Sequence, residues 1–165
     1  KRRIKLAEKE LKHVFIWTDG SSIKKKSGEG YHGGAGCYLV CNGKEKEISV
    51  SIEDGTNNIS ELSACIYALK ALKEKCKVTL YTDSQYSINC VTKWYDGWKR
   101  RGWKSSMGGE IKNLQLVQEL RELYEYHDVD LLWVKGHNGD IGNERADVLA
   151  CEASAALKDK EVDNE

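Results

Sequence analysis

The chain has 165 residues, 40% hydrophobic and 32% charged, with 26 Lys and Arg balancing 26 Asp and Glu. That length suits one domain with its own core. No apolar run approaches the roughly 18 residues of a membrane span, no secretory apolar region opens the chain, and a formal net charge of zero leaves nucleic-acid binding to a local patch and not to a global field.

Residues 1–12, KRRIKLAEKELK, are basic and amphipathic and read as an N-terminal segment or linker. HVFIWTDG, dominated by β-branched and aromatic residues, predicts a buried strand ending at Gly20. The polar, glycine-rich SSIKKKSGEGYHGG predicts a loop over 21–34. AGCYLV and KEISVSI flank Asn42-Gly43, a hairpin signal, so the first three strands form an antiparallel meander. Over NNISELSACIYALKALKEKC the period changes. Ile59, Leu62, Cys65, Ile66, Leu69 and Leu72 share one helical face, with Asn57 or Asn58 as N-cap.

KVTLYTD predicts a fourth strand ending at Asp83, and SQYSINCVTKWYDGW starts a helix that KRRGWKSSMGG interrupts with charge and glycine. Leu114, Val117, Leu120 and Tyr124 space a further helix, VDLLWVKG a fifth strand, and NERADVLACEASAALK the last helix. KDKEVDNE, over 158–165, is a charged tail expected to be disordered. The order βββ-α-β-α-α-β-α predicts an α/β fold, a mixed sheet covered by helices, because strand–helix–strand crossovers build parallel pairs. Six scattered cysteines lack CxxC pairs or His at zinc spacing and read as the reduced thiols of a cytosolic protein.

Asp19 and Asp83 each stand where a strand stops. Strand carboxyl ends at a topological switch point are where ligands bind in such sheets. If the two strands are parallel neighbours, the carboxylates meet at one sheet edge. Glu61 falls in the first turn of the helix after the meander, at the margin of its apolar face, and Asp147 in the first turn of the last helix. Singly, a strand-end Asp before Gly makes an Asx turn, and a helix-start acid serves the dipole. Together, four converging acids repel unless cations neutralise them, and hard oxygen donors suit Mg2+ or Mn2+. His137 stands in the glycine-rich loop of WVKGHNGDIGNERAD.

WTDGS, TNNISELSA, YTDSQY and WVKGHNGDIGNERAD, in that order, make the region 13–157 resemble ribonuclease HI, the type 1 ribonuclease H family. The resemblance implies a mixed five-stranded sheet of order 3-2-1-4-5 flanked by helices. It implies an endonuclease that hydrolyses the RNA strand of RNA–DNA hybrids with two Mg2+ ions, Mn2+ being an alternative, and leaves 5′-phosphate and 3′-hydroxyl ends. By motif, Asp19, Glu61, Asp83 and Asp147 match the metal-binding carboxylates and His137 the catalytic loop histidine.

Gly20, Ser21, Ser22, Asn57, Asn58 and Gln85 match positions that contact RNA sugars and minor-groove edges. Thr56 and Asn113 match a DNA-phosphate pocket, Trp94 and Trp98 a channel against deoxyribose, and Asn143 a contact near the scissile region. KWYDGWKRRGWK sets Lys93, Lys99, Arg100, Arg101 and Lys104 against Asp96 alone and interleaves Trp98 and Trp103, the pattern of the family's basic protrusion and of nucleic-acid contact. The segment SSIKKKSGEGYHGG departs from the short turn usual in the family, so residues beyond Ser22 have no matching positions. The implied partner is an RNA–DNA hybrid and no membrane, the expected state monomeric, and the expected location cytoplasmic, or nuclear or organellar in a eukaryote. Two readings of other kinds are a DNA-cutting nuclease or integrase on the same fold and a non-catalytic hybrid-binding module. The amide pair with Gln85 opposes the first, and the complete carboxylate set opposes the second.

Overall fold

In the structure, a computed structural model that describes residues 10–163, the chain runs β1 (His13–Lys24), β2 (Tyr31–Cys41), β3 (Lys44–Glu53), α1 (Asn57–Lys70), β4 (Lys77–Thr82), α2 (Gln85–Asn89), a π-helical turn (Cys90–Trp94), α3 (Tyr95–Arg100), α4 (Leu114–Tyr126), β5 (Asp128–Trp133) and α5 (Ile141–Asp163). The strands form one sheet of order β3-β2-β1-β4-β5. β1 pairs antiparallel with β2 and parallel with β4, β2 antiparallel with β3, and β4 parallel with β5. The α/β class and the sheet order are those expected. The first nine residues of the basic N-terminal segment lie outside the described residues.

The sheet's two faces follow from the period of two along each strand. Val14, Ile16, Val78 and Leu80 look to one face, where Leu62, Cys65, Ile66 and Leu69 of α1 and Val117 and Leu120 of α4 complete the buried core. α5 lies on the other face, over β1, β2 and β3. Its approach there is set by backbone. A Cβ at Gly34 would overlap the Ala150 carbonyl oxygen, and one at Gly36 would overlap that of Ala146. Beside this glycine floor, the Ser49 and Ser51 hydroxyls donate to the Leu149 and Ala153 carbonyls, each at 2.7 Å. Strand residues two apart advance about 6.6 Å and helix residues four apart about 6 Å, so the two serines match successive turns.

The structure corrects several boundaries. Ser21–Gly34 is not a loop: β1 continues to Lys24 and β2 begins at Tyr31, with Ser21 paired to Gly34 and Ser22 to Gly33. Those glycines serve close helix and loop packing, not chain reversal. The α1 cap is Thr56, whose Oγ1 accepts from Ile59 N at 3.2 Å, and the helix ends at Lys70, leaving Leu72 to pack on the core from the following loop. Glu61 and Asp147 lie one turn deeper than the first helical turns expected, since α1 begins at Asn57 and α5 at Ile141. The expected charged tail is helical to Asp163. Glu161 secures it, its carboxylate 2.5 Å from the buried His32 Nε2 and accepting from Lys26 N at 3.3 Å. Residues 164 and 165 lie outside the described residues. No helix among the described residues is long and apolar enough to cross a membrane.

The floor under α5 gives a direct test. Gly36→Ala forces a methyl against the Ala146 carbonyl and should destabilise the fold by about 2 kcal/mol, seen as a lower urea midpoint with an unchanged m-value.

Candidate active site

The parallel ladder of β1 and β4 places the cluster. Thr18 faces Thr82 as its last pair; one residue on, Asp19 continues in β1, paired with Gly36, while Asp83 leaves β4, so the two acids lie side by side where the strands part. Ladder neighbours lie about 5 Å apart whatever their charge. Glu61 comes from α1, next to the fully buried Leu62, and α1 approaches β1 so closely that a Cβ at Gly20 would lie 2.5 Å from the Glu61 backbone nitrogen. One carboxylate oxygen from each of Asp19, Glu61 and Asp83 lies within 4.8 Å of the others. Asp147 enters the same cleft from α5, on the opposite face of the sheet. The cleft therefore joins both helical layers where β1 and β4 part.

Its electrostatics follow from burial. Asp19 is 4% exposed and Glu61 5%. Burial first, then the charge of Asp83, pushes the Asp19 carboxyl up to about 8. Burial, with Asp19 and Asp83 adding to it, holds Glu61 well above the usual carboxylate range. The Gly20 N–H donates to Asp19 Oδ1 at 2.9 Å, and Glu61 Oε2 is buried with no hydrogen-bond partner among the described residues. An orphaned buried oxygen among like charges fits a divalent cation, and a set made of oxygens favours Mg2+ or Mn2+ over softer metals.

His137 lines the cleft on the β5–α5 loop, exposed and in the left-handed region at φ 56°. Gly20, Asn57, Asn58 and Gln85 line it too, as do Ser84 and Tyr86, which the motifs do not single out. Ser84 is the N-cap of α2, its hydroxyl accepting from Ser87 N at 3.1 Å, a signal legible in Ser84-Gln85 opening a helix. A second hollow, lined by Ser22, Tyr31, Thr56, Asn57 and Asn58, continues the cleft along α1.

On the other side, Asn113 Nδ2 donates to Tyr86 Oη at 3.1 Å, the Tyr86 ring meets Trp94 at 6.4 Å, and Trp94 meets Trp98 at 5.9 Å. Lys99, Arg100 and Arg101 are exposed at the end of α3, and Trp103 packs edge-on against Tyr95. Two candidates stand apart from the cleft. Ser21 turns toward α5, 2.8 Å from the Ser154 hydroxyl, because strand alternation puts it on the face opposite Gly20 and Ser22. Asn143 is 2% exposed, with its backbone N–H donating to Asp140 Oδ1.

A sequence profile of the RNase H family matches residues 11–155. The chain is 47% identical over 144 residues to ribonuclease H of Gluconobacter oxydans (strain 621H), covering 87% of this chain and 93% of that one. It is 47% identical over 148 residues to ribonuclease H of Francisella philomiragia, covering 90% and 95%. Among solved structures, LC9-RNase H1, a type 1 RNase H with the type 2 active-site motif, superposes with a TM-score of 0.79 at 31% identity, covering 91% of this chain and 75% of that one. The foamy viral protease-reverse transcriptase in complex with RNA/DNA hybrid shares the fold, with a TM-score of 0.75 at 21% identity over 88% of this chain and 20% of that one. With a buried carboxylate cluster where β1 and β4 part and relatives of this likeness over most of its length, the chain belongs to the ribonuclease H family of nuclease hydrolases.

Proposed function

We propose that the chain is an endonuclease that hydrolyses the RNA strand of RNA–DNA hybrids, leaving 5′-phosphate and 3′-hydroxyl ends. The observation that carries this reading is the convergence of Asp19, Glu61 and Asp83 within 4.8 Å, with Glu61 Oε2 unpartnered. Asp19, Glu61, Asp83 and Asp147 would hold two divalent ions, which when bound stabilise the attacking and leaving oxygens of an in-line displacement and acidify water. Asp19 would serve both ions; Asp147 would help to hold one, and Glu61 with Asp83 the other.

The remaining groups bind, orient and move protons. His137 stands on the cleft's rim with its imidazole open to solvent, suited to carry a proton away from the reacting centre or to ease product departure. Asn57, Asn58 and Gln85 present amide donors and acceptors beside the carboxylates, as reading of a 2′-hydroxyl and minor-groove edges requires. Trp94 and Trp98 offer flat surfaces that pack on a deoxyribose and crowd a ribose. Contacts to sugar and phosphate carry little base information, so sequence preference is slight.

Labelled hybrid, duplex DNA and duplex RNA, each with Mg2+ or with chelator, should show cleavage of the hybrid's RNA strand alone and only with the metal. Asp19→Asn should reduce that cleavage by at least ~1,000-fold, the scale of removing a main electrostatic stabiliser of the transition state; near-normal turnover would refute its central role.

The same variant should stabilise the metal-free fold, and increasingly so as pH rises. Asp19 and Glu61 are raised in the folded state, so they stay protonated in the fold where the unfolded chain has released its protons. Stability therefore falls as pH climbs from the ordinary carboxylate range toward about 8. In chelator, the melting-temperature difference between Asp19→Asn and the parent should widen from pH 5 to pH 8, and Mg2+ should stabilise the parent more at pH 8. A constant difference would contradict the repulsion.

Replacing Lys99, Arg100 and Arg101 by Ala should weaken hybrid binding and reduce the slope of log K against log salt by roughly two to three, about 0.9 for each phosphate no longer neutralised. An unchanged slope would exclude the protrusion from the interface.

A further inference from the structure

The extended β1–β2 hairpin is a feature of this chain that the cleavage reaction does not account for. β1 runs five residues beyond Asp19, to Lys24, which pairs with Tyr31 across the ladder. The turn is closed by Lys25 N donating to Gly30 O at 3.1 Å and Gly28 N donating to Lys25 O at 2.9 Å. Lys25 Nζ binds Asp54 at 2.7 Å, which ties the hairpin to the start of the β3–α1 connection. Its end is therefore an ordered strand pair held beside the N-terminus of α1.

Strand alternation fixes which side chains face the cleft. Gly20 lies against Glu61, and Ser22 Oγ donates to Gly55 O at 3.0 Å. Lys24 is the next residue of that row, and Tyr31, as its cross-strand partner, shares its face. On the opposite face, His32 turns to Glu161 of α5. Tyr31 is 37% exposed and, with Ser22, Thr56, Asn57 and Asn58, lines the hollow that continues the carboxylate cleft. Asn57 and Asn58 border both. From Gly20 to Lys24 the row advances about 13 Å, far enough to reach nucleic-acid backbone beyond that held at the carboxylates.

We propose that Lys24 and Tyr31 are further substrate-positioning residues, gripping the backbone of the bound hybrid beyond the reacting phosphate, on the side of the hairpin. Lys24 supplies a cation to a phosphate, and Tyr31 supplies a flat ring and a hydroxyl donor to the adjoining sugar and phosphate. The inference rests on the hybrid-cleaving function proposed above. It adds a grip remote from the carboxylates, one that extends the enzyme's footprint on the side of the hairpin.

The test compares two hybrids with the same cut site, one reaching past the hairpin and one truncated at the cleft on that side. Lys24→Ala, Tyr31→Ala and the double variant are assayed with both, at several salt concentrations, after their melting temperatures are matched to the parent. On the long hybrid the double variant should raise KM roughly tenfold with little change in kcat, the scale of removing one charge-assisted hydrogen bond. The parent's preference for the long hybrid should shrink by the same factor. Lys24→Ala should lower the salt slope of binding by about 0.9 on the long hybrid. An equal change on both hybrids, an effect confined to kcat, or an unchanged length preference would overturn the inference while leaving hybrid cleavage intact. Failure of the parent to cut either hybrid would instead overturn the function on which it rests.

Discussion

The structure depends on like charges being held together by bonds that do not involve them. The distance between Asp19 and Asp83 is set by the β1–β4 ladder from His13–Lys77 to Thr18–Thr82. Glu61 is delivered by the apolar face of α1, whose Leu62, Ala64, Cys65 and Leu69 are all but fully buried. Hydrophobic burial and backbone pairing thus impose a geometry that electrostatics alone would reject. The cost appears as the upward displacement of both Asp19 and Glu61. A cluster of this kind lowers the stability of the bare fold, and such local conflict is what a functional site looks like in an otherwise self-consistent sequence.

The fourth acid depends on a different contact. Asp147 belongs to α5, and how deeply α5 sits is decided by Gly34 and Gly36 beneath the Ala150 and Ala146 carbonyls and by Ser49 and Ser51 beside them. A larger residue at Gly36 would lift the helix under the turn that carries Asp147. The packing of one sheet face therefore sets the height of a carboxylate in the cleft. The His32–Glu161 pair does the same service at the far end of the helix, where burial of the imidazole against a carboxylate holds the last turns to the hairpin. Glu161 is held below the ordinary carboxylate range by that contact, so this tie weakens as pH falls, opposite in sign to the cluster.

These interactions explain which parts of the molecule the sequence can reveal. The strands and the places of the carboxylates along them are legible because they rest on local period: β-branched runs leading to Asp19 and Asp83, and a helical apolar face flanking Glu61. The sheet order, and with it the convergence, comes from the resemblance carried by the four motifs. The glycine-rich stretch before Ala35 reads as loop because glycine's usual meaning is chain reversal. Here its meaning is close approach of another backbone, which only the tertiary fold supplies. In Thr56-Asn57-Asn58 all three residues are competent caps, and the choice of Thr56 is geometric. Ser21 is a candidate by motif, yet the period of two already places it opposite Gly20 and Ser22. Asn143 carries no such signal: the apolar period starts the last helix at it, whereas α5 begins at Ile141 and Asn143 is buried within it.

The basic protrusion shows how a helix can be made to present a patch. Between α2 and α3 the helix widens to a π turn over Cys90–Trp94, with Cys90 and Val91 fully buried and Trp94 exposed. An inserted residue of this kind shifts the phase of everything that follows by about 100°, which sets Trp94 beside Tyr86; Trp98, four residues on, stays on the face of Trp94. Arg121 of α4 secures the widened turn: its Nη1 donates to the Val91 carbonyl at 2.7 Å, and its guanidinium lies 4.6 Å from the centre of the Tyr95 ring. The aromatic path from Tyr86 through Trp94 to Trp98 is thus built on a fixed root. Lys99, Arg100 and Arg101 then project from a defined place at the end of α3, not from a loop.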